Sequence, residues 1–219
     1  MSDFTKFVGL DVHKETIAVA VADAQGGEVR FHGEIANTPE EVLKLVRRLR
    51  KEEATLSFCY EAGPCGYGLH RQLRDLHQDC QVVAPSLIPR KPGDRVKTDR
   101  RDSLNLARLY RAGELTAVWV PDGAQEALRD LTRGREDMKH AEKQIKQRLL
   151  AFCLRHGKSY GGETNWTKMH FRWFETVKFE HPVQQIVFQE YVDTVKAMVK
   201  RVEGFDGQRS EERRVGKEC

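Results

Sequence analysis

The 219 residues predict an α/β domain with a mixed sheet, followed by an α-helical coiled-coil region. Three observations carry this reading. Three strand-like segments joined by tight connections fill the first 35 residues. From Thr38 onward, helical and strand patterns alternate. Past Pro121 the apolar spacing changes to heptads.

Lys6 to Val12 is mostly apolar, and Thr16 to Ala22 is β-branched and small. Gln25-Gly26-Gly27 is a turn ahead of Glu28 to Ile35. These three segments should pair as an antiparallel meander. A helix starts at Thr38 as N-cap, with Pro39 at the first helical position and Glu41 three residues past the cap. Its apolar stripe is Val42, Leu45, Val46 and Leu49. Ala54 to Tyr60 is nearly continuous in apolar character and predicts a central strand with Glu61 at its end.

After the turn Ala62–Gly66 come a short helix, Tyr67 to His77, and a fifth strand, Cys80 to Ala84. Ser86 to Lys97 holds three Pro or Gly breakers among basic residues and reads as a loop. A helix should run from Asp99 to about Ala112, capped by Thr98 or Asp99, and a short strand, Ala117 to Val120, ends the first domain at residue 121.

Leu128, Leu131, Met138, Ile145, Leu149 and Phe152 occupy heptad a and d positions, interrupted by Arg135 and Glu142, and predict a helix from Gly123 to His156. A loop with Trp166, Phe171, Trp173 and Phe174 follows. A second heptad runs through Phe188, Tyr191, Val195, Met198, Val202 and Phe205. The two helices of residues 122–208 can form an antiparallel hairpin or a seam between two chains. The aromatic residues can form a packing knot or a base-stacking platform.

A net charge of +4 permits nucleic acid as a partner without requiring it. Its distribution is more informative: Arg90 to Arg111 holds eight Lys or Arg against three Asp. Five cysteines without CxxC pairs point to a reduced, cytoplasmic chain and away from structural zinc. The start does not read as a signal peptide. The longest apolar run, Ile17 to Ala22, is far too short to span a bilayer, so no membrane partner is expected.

Asp11 sits inside an apolar strand, Phe7 to Lys14. An ionised carboxylate there must be protonated, ion-paired or metal-bound. Glu61 ends a neighbouring strand, where ligands of α/β sheets collect. Asp99 and Asp102, three residues apart, share one helix face, and a divalent cation would relieve their repulsion. The four acids are candidate metal ligands and catalytic residues for Mg2+ or Mn2+, which prefer carboxylate oxygens. Lys97, Arg100 and Arg101 are candidate phosphate contacts. Each acid also has a plainer reading: Asp11 a strand-end acid, Glu61 a helix cap, Asp99 an N-cap, and Asp102 a first-turn acid favoured by the helix dipole. His13 and Lys14 read as solvated turn residues.

Gly9-Leu10-Asp11-Val12-His13-Lys14, Tyr60-Glu61-Ala62-Gly63-Pro64 and Lys97-Thr98-Asp99-Arg100-Arg101-Asp102, in this order, resemble the N-terminal half of the DEDD-type insertion-sequence transposases of the IS110 group. The resemblance covers roughly residues 4 to 205. It implies a RuvC-like, ribonuclease-H-type sheet, metal-dependent phosphoryl transfer on DNA in transposition, and a noncoding guide RNA. It also implies self-assembly into a homo-oligomer through the coiled coil, and a further domain with a nucleophilic serine that no part of this chain matches.

Arg209 to Cys219 reads as the in-frame translation of a common sequencing-library adapter. The expectation is therefore an N-terminal fragment whose natural sequence is recorded through Gln208. Two other functions fit the four acids and the basic stretch. One is a metal-dependent nuclease of the Holliday-junction type; the other is a non-catalytic nucleic-acid-binding or oligomerisation module.

Overall fold

The computed structural model describes residues 4–50, 54–89 and 98–218, with side chains described through residue 208. The chain divides into two compact units between Val120 and Pro121. The first holds one sheet of β1 (Lys6–Val12), β2 (Thr16–Asp23), β3 (Arg30–Ala36), β4 (Leu56–Glu61) and β5 (Asp79–Val83). The order is β3-β2-β1-β4-β5. β1, β2 and β3 pair antiparallel, and β4 and β5 extend the sheet parallel to β1. This is the mixed sheet expected of a ribonuclease-H-type domain, with Asp11 on its central strand.

The two faces of the sheet differ in residue size. One buries Val8, Leu10, Ile17, Val19, Phe58, Tyr60 and Val82 against α1 (Pro39–Leu49) and α2 (Gly68–Asp75), through Val42, Leu45, Val46, Leu49 and Leu73. Burying each such side chain contributes roughly 1.5–3 kcal/mol. On the opposite face, register sets Phe7 beside Ala22, Gly9 beside Ala20 and Asp11 beside Ala18. This narrow strip accepts α3 (Asp99–Arg111) at very short range. A Cβ on Gly9 would lie 2.4 Å from the Ala107 nitrogen and 2.6 Å from the Ser103 oxygen, so only glycine fits.

The far end of α3 is fixed by a buried polar group. Ser57 Oγ donates to Asp79 Oδ2 at 2.6 Å and lies 2.5 Å from the Tyr110 hydroxyl. The segment Ala117–Val120 is not a strand: it meets β5 in one antiparallel bridge, Val83 to Ala117, with Val118 N donating to the Val82 carbonyl at 2.8 Å. Pro121 stops further pairing, and Trp119 stays largely exposed.

The second unit contains α4 (Gly123–Arg155), α5 (Lys168–Thr176) and α6 (Pro182–Glu218). Asp122 and Gln125 form a reciprocal capping box at the start of α4. α4 and α6 run antiparallel, since Arg135 pairs with Asp206 at 2.5 Å while Phe152 meets Tyr191 at 5.7 Å. Leu149, Phe152, Phe174, Phe188, Val192 and Val195 are buried together. The heptad residues thus meet within one chain at this end, while Leu128 at the other is 44% exposed.

Glu142, the acid in the α4 heptad, is buried with both Lys139 and Lys146 on its carboxylate. Residues 168–176 form a helix where the sequence suggests a loop. Thr167 caps it, and Trp166 and Phe171 staple its entry with ring centroids 6.3 Å apart. The aromatic residues form a packing knot around fully buried His170, which Phe174 approaches at 4.4 Å.

Candidate metal centre

The close seat of α3 on Gly9 brings its first turn over the C-terminal end of β1. Thr98 caps α3 by accepting from Arg101 N. The cap sets Asp99 and Asp102 in the first turn, where both charges act on Asp11. The Asp11 side chain is only 14% exposed. Burial pushes its carboxyl up from the usual value; His13 opposes this by charge and hydrogen bond, and the Asp102 and Asp99 charges reinforce it.

His13 is the residue that sequence reasoning passed over. Its Nε2 lies 3.3 Å from Asp11 Oδ2 and 3.4 Å from Asp99 Oδ1. The loop holds it there: His13 N donates to the Thr16 carbonyl at 2.9 Å, and Asn37 Nδ2 donates to the His13 carbonyl at 2.7 Å. The missed signal is the spacing of two from Asp11, which in extended chain puts both side chains on one face.

One donor atom from each of Asp11, His13 and Asp99 lies within 4.8 Å of the other two. Ligands at adjacent vertices around a six-coordinate cation with bonds of 2.1 Å lie about 3 Å apart, so the two His13 contacts have ligand-like spacing. The carboxylates suit a hard cation, and imidazole is the softer third donor. Among the described residues this is the one such group of acids, His or Cys.

Glu61 lies outside that trio. It stands on β4 one step past the Leu10–Tyr60 pair, beside Asp11 on the parallel neighbour and on the same face. Arg100 places its guanidinium 5.2 Å from the Phe31 ring centroid. Arg101 lines a groove of about 510 Å3 with Arg108, Arg111 and Asn105, on the α3 side facing the β2–β3 turn. Lys97 lies outside the described residues.

The model of the DEDD transposases of the IS110 group, described as "Transposase", matches residues 8–156. This chain belongs to that transposase family. A relative from Sinorhizobium fredii described as a transposase, y4qE, is 50% identical over 192 residues, which are 87% of this chain and 49% of the relative. The transposase for insertion sequence element IS1533 of Leptospira borgpetersenii is 33% identical over 202 residues, or 91% of this chain and 58% of that one. The chain thus spans about half the length of the curated relatives it matches.

Among solved structures, the chain is similar to T. thermophilus RuvC in complex with a Holliday junction substrate, at 11% identity and TM-score 0.36. That match covers 52% of this chain and 99% of the other. The large terminase nuclease from the thermophilic phage G20c is similar at 14% identity and TM-score 0.31, over 52% and 58% of the two chains.

No described helix of this family member is long and apolar enough to cross a membrane.

Proposed function

We propose that the first unit is the metal-dependent catalytic domain of a DNA transposase, with Asp11, Glu61, Asp99 and Asp102 as its acids. The observation that carries the reading is the meeting of Asp11, His13 and Asp99 at the end of the central strand, in a chain that belongs to a transposase family. Mg2+ or Mn2+ is the cation that two or more carboxylates suit, and when bound it supplies Lewis-acid stabilisation of the entering and leaving oxygens of a phosphodiester.

The chain's own residues do the positioning. Asp11 lies on a rigid central strand, and α3 brings Asp99 and Asp102 to it. Asn37 fixes the loop that aims His13 at both acids. Arg100 and Arg101, at the same helix start, hold phosphates without reading sequence, and Lys97 is assigned the same role. In the whole enzyme we assign a guide RNA, homo-oligomeric assembly and a serine from a further domain. The similarity over about half of each relative supports reading this chain as one part of such an enzyme.

Metal binding tests the site without requiring the complete enzyme. Titration calorimetry of the 219-residue chain with Mn2+ should give saturable binding that Asp11→Asn abolishes while the thermal transition is retained. Equal binding by the variant would remove Asp11 from the site.

A further inference from the structure

The second unit carries a cleft that the metal-centre reading leaves unused. It measures about 420 Å3, and its lining includes Lys139, Glu142, Lys143, Lys146 and Gln147 of α4, with Trp166 closing one side. Residues 139, 143 and 146 are spaced i, i+4 and i+7, so their side chains share one face over about 10 Å of helix. Two of the three ammonium groups are held in place. Glu142 Oε1 accepts from Lys146 Nζ at 2.5 Å, and its Oε2 accepts from Lys139 Nζ at 3.4 Å. The third, Lys143, is exposed, so the wall keeps a positive excess.

Trp166 is fixed as firmly as the lysines. Its φ of +68° is in the left-handed region, which is rare for a bulky residue. His170 Nδ1, on a fully buried ring, accepts its backbone N–H at 2.8 Å. The Lys146 ammonium lies 4.9 Å from the indole centroid. The staple to Phe171 explains an apolar residue at this position. It does not explain a partly exposed indole beside Lys146 at the edge of a lysine-bearing wall.

We propose that this cleft binds a single strand of nucleic acid, with Lys139, Lys143 and Lys146 on its phosphates and the open part of the Trp166 indole against an unstacked base. A cationic wall beside a rigid aromatic ring is the combination that single strands use, because every base has a π-face while a duplex keeps its bases stacked. Holding two ammonium groups in place beforehand lowers the entropy lost when phosphate arrives. The strand is DNA or RNA, since both present this chemistry.

The test uses the full chain in EDTA, which removes divalent cations, and reads the change made by variants of the α4 wall alone, which leave Arg100 and Arg101 in place. Binding of oligothymidine, oligouridine and a duplex is measured by fluorescence anisotropy across a salt series. Lys143→Gln should lower the single-strand salt slope by about 0.7, and Lys143→Glu should weaken binding about tenfold. Gln147→Glu gives a second, independent negative charge on the same wall. Gly68→Ala, at a position with nothing within 4 Å of the added carbon and outside both the cleft and the metal centre, should leave the affinity unchanged. Photocrosslinks from thio-substituted oligonucleotides should map to the peptide containing Trp166. Tighter oligouridine identifies RNA as the occupant, and tighter oligothymidine identifies DNA. Duplex binding equal to single-strand binding, or affinity unmoved by both α4 variants, overturns the proposal.

Discussion

Replacing Gly9 with alanine tests how the candidate centre is built, because it adds one methyl group where the backbone of α3 already rests. The new Cβ would lie 2.4 Å from the Ala107 nitrogen, whereas ordinary contact begins at 3.4 Å, so helix or strand must retreat by about 1 Å. Both obstructing atoms nearest Gly9 are backbone and cannot rotate away. The cost should therefore fall at the upper end of the range for overpacked cores, about 3 kcal/mol. Amide deuterium exchange, read peptide by peptide, isolates the effect to β1 and α3. Globally opening amides there should exchange about a hundredfold faster. Mn2+ affinity should fall as well, because the displaced helix carries Asp99 and Asp102. Gly68→Ala, at a position with nothing within 4 Å of the added carbon, should leave both readouts unchanged. Gly9→Ala with wild-type exchange in β1 and α3 would refute the close-approach argument.

His13→Ala should weaken Mn2+ binding by about tenfold or more without lowering the melting temperature, as measured by calorimetry. Ser57→Ala strips a hydroxyl from a buried group that holds Asp79 and Tyr110, and should cost about 1–3 kcal/mol in urea unfolding. Burial holds the His170 imidazole below its ordinary pKa, so the unfolded chain takes up the proton first as pH falls through about 6.5. Stability should therefore decline from pH 7 downward, level off below the folded pKa, and decline less in His170→Asn. His32 and His70, also held low by burial, act in the same direction. Of the described cysteines, Cys65 alone is exposed, while burial pushes the thiols of Cys80 and Cys153 up to about 12 and about 11. Iodoacetamide at pH 8 should label Cys65 first, and mass spectrometry should find Cys59, Cys80 and Cys153 modified only after denaturation.

The strands and long helices were legible because each has a one-dimensional signature. Alternation and β-branching mark β2, and Thr38-Pro39 with its apolar stripe marks α1. The antiparallel partner of α4 was visible only as a second heptad, and the pairing within one chain became definite through Arg135–Asp206 and Phe152–Tyr191. α5 was hidden because its aromatic residues break a simple apolar period, leaving Thr167 as its one local cue. In the candidate centre, Asp11 announced itself as a charge in an apolar strand. His13 did not, since its position depends on Asn37 reaching across from the end of β3. Gly9 carried a weak cue, a glycine inside a strand, whose meaning needs α3 about a hundred residues later in the sequence.

The strand order has a consequence for synthesis. The sheet's central strand is translated first, yet the helix that completes the trio of Asp11, His13 and Asp99 is made last in the unit, Asp99 coming 88 residues after Asp11. At roughly 5–20 residues per second, Asp99 emerges about 4 to 18 s behind Asp11. During that interval the nascent sheet presents Gly9, Ala18, Ala20 and Ala22 as an uncovered strip, and the trio of Asp11, His13 and Asp99 is incomplete. A growing chain is thus without the Asp11–His13–Asp99 cluster until α3 has folded onto the sheet.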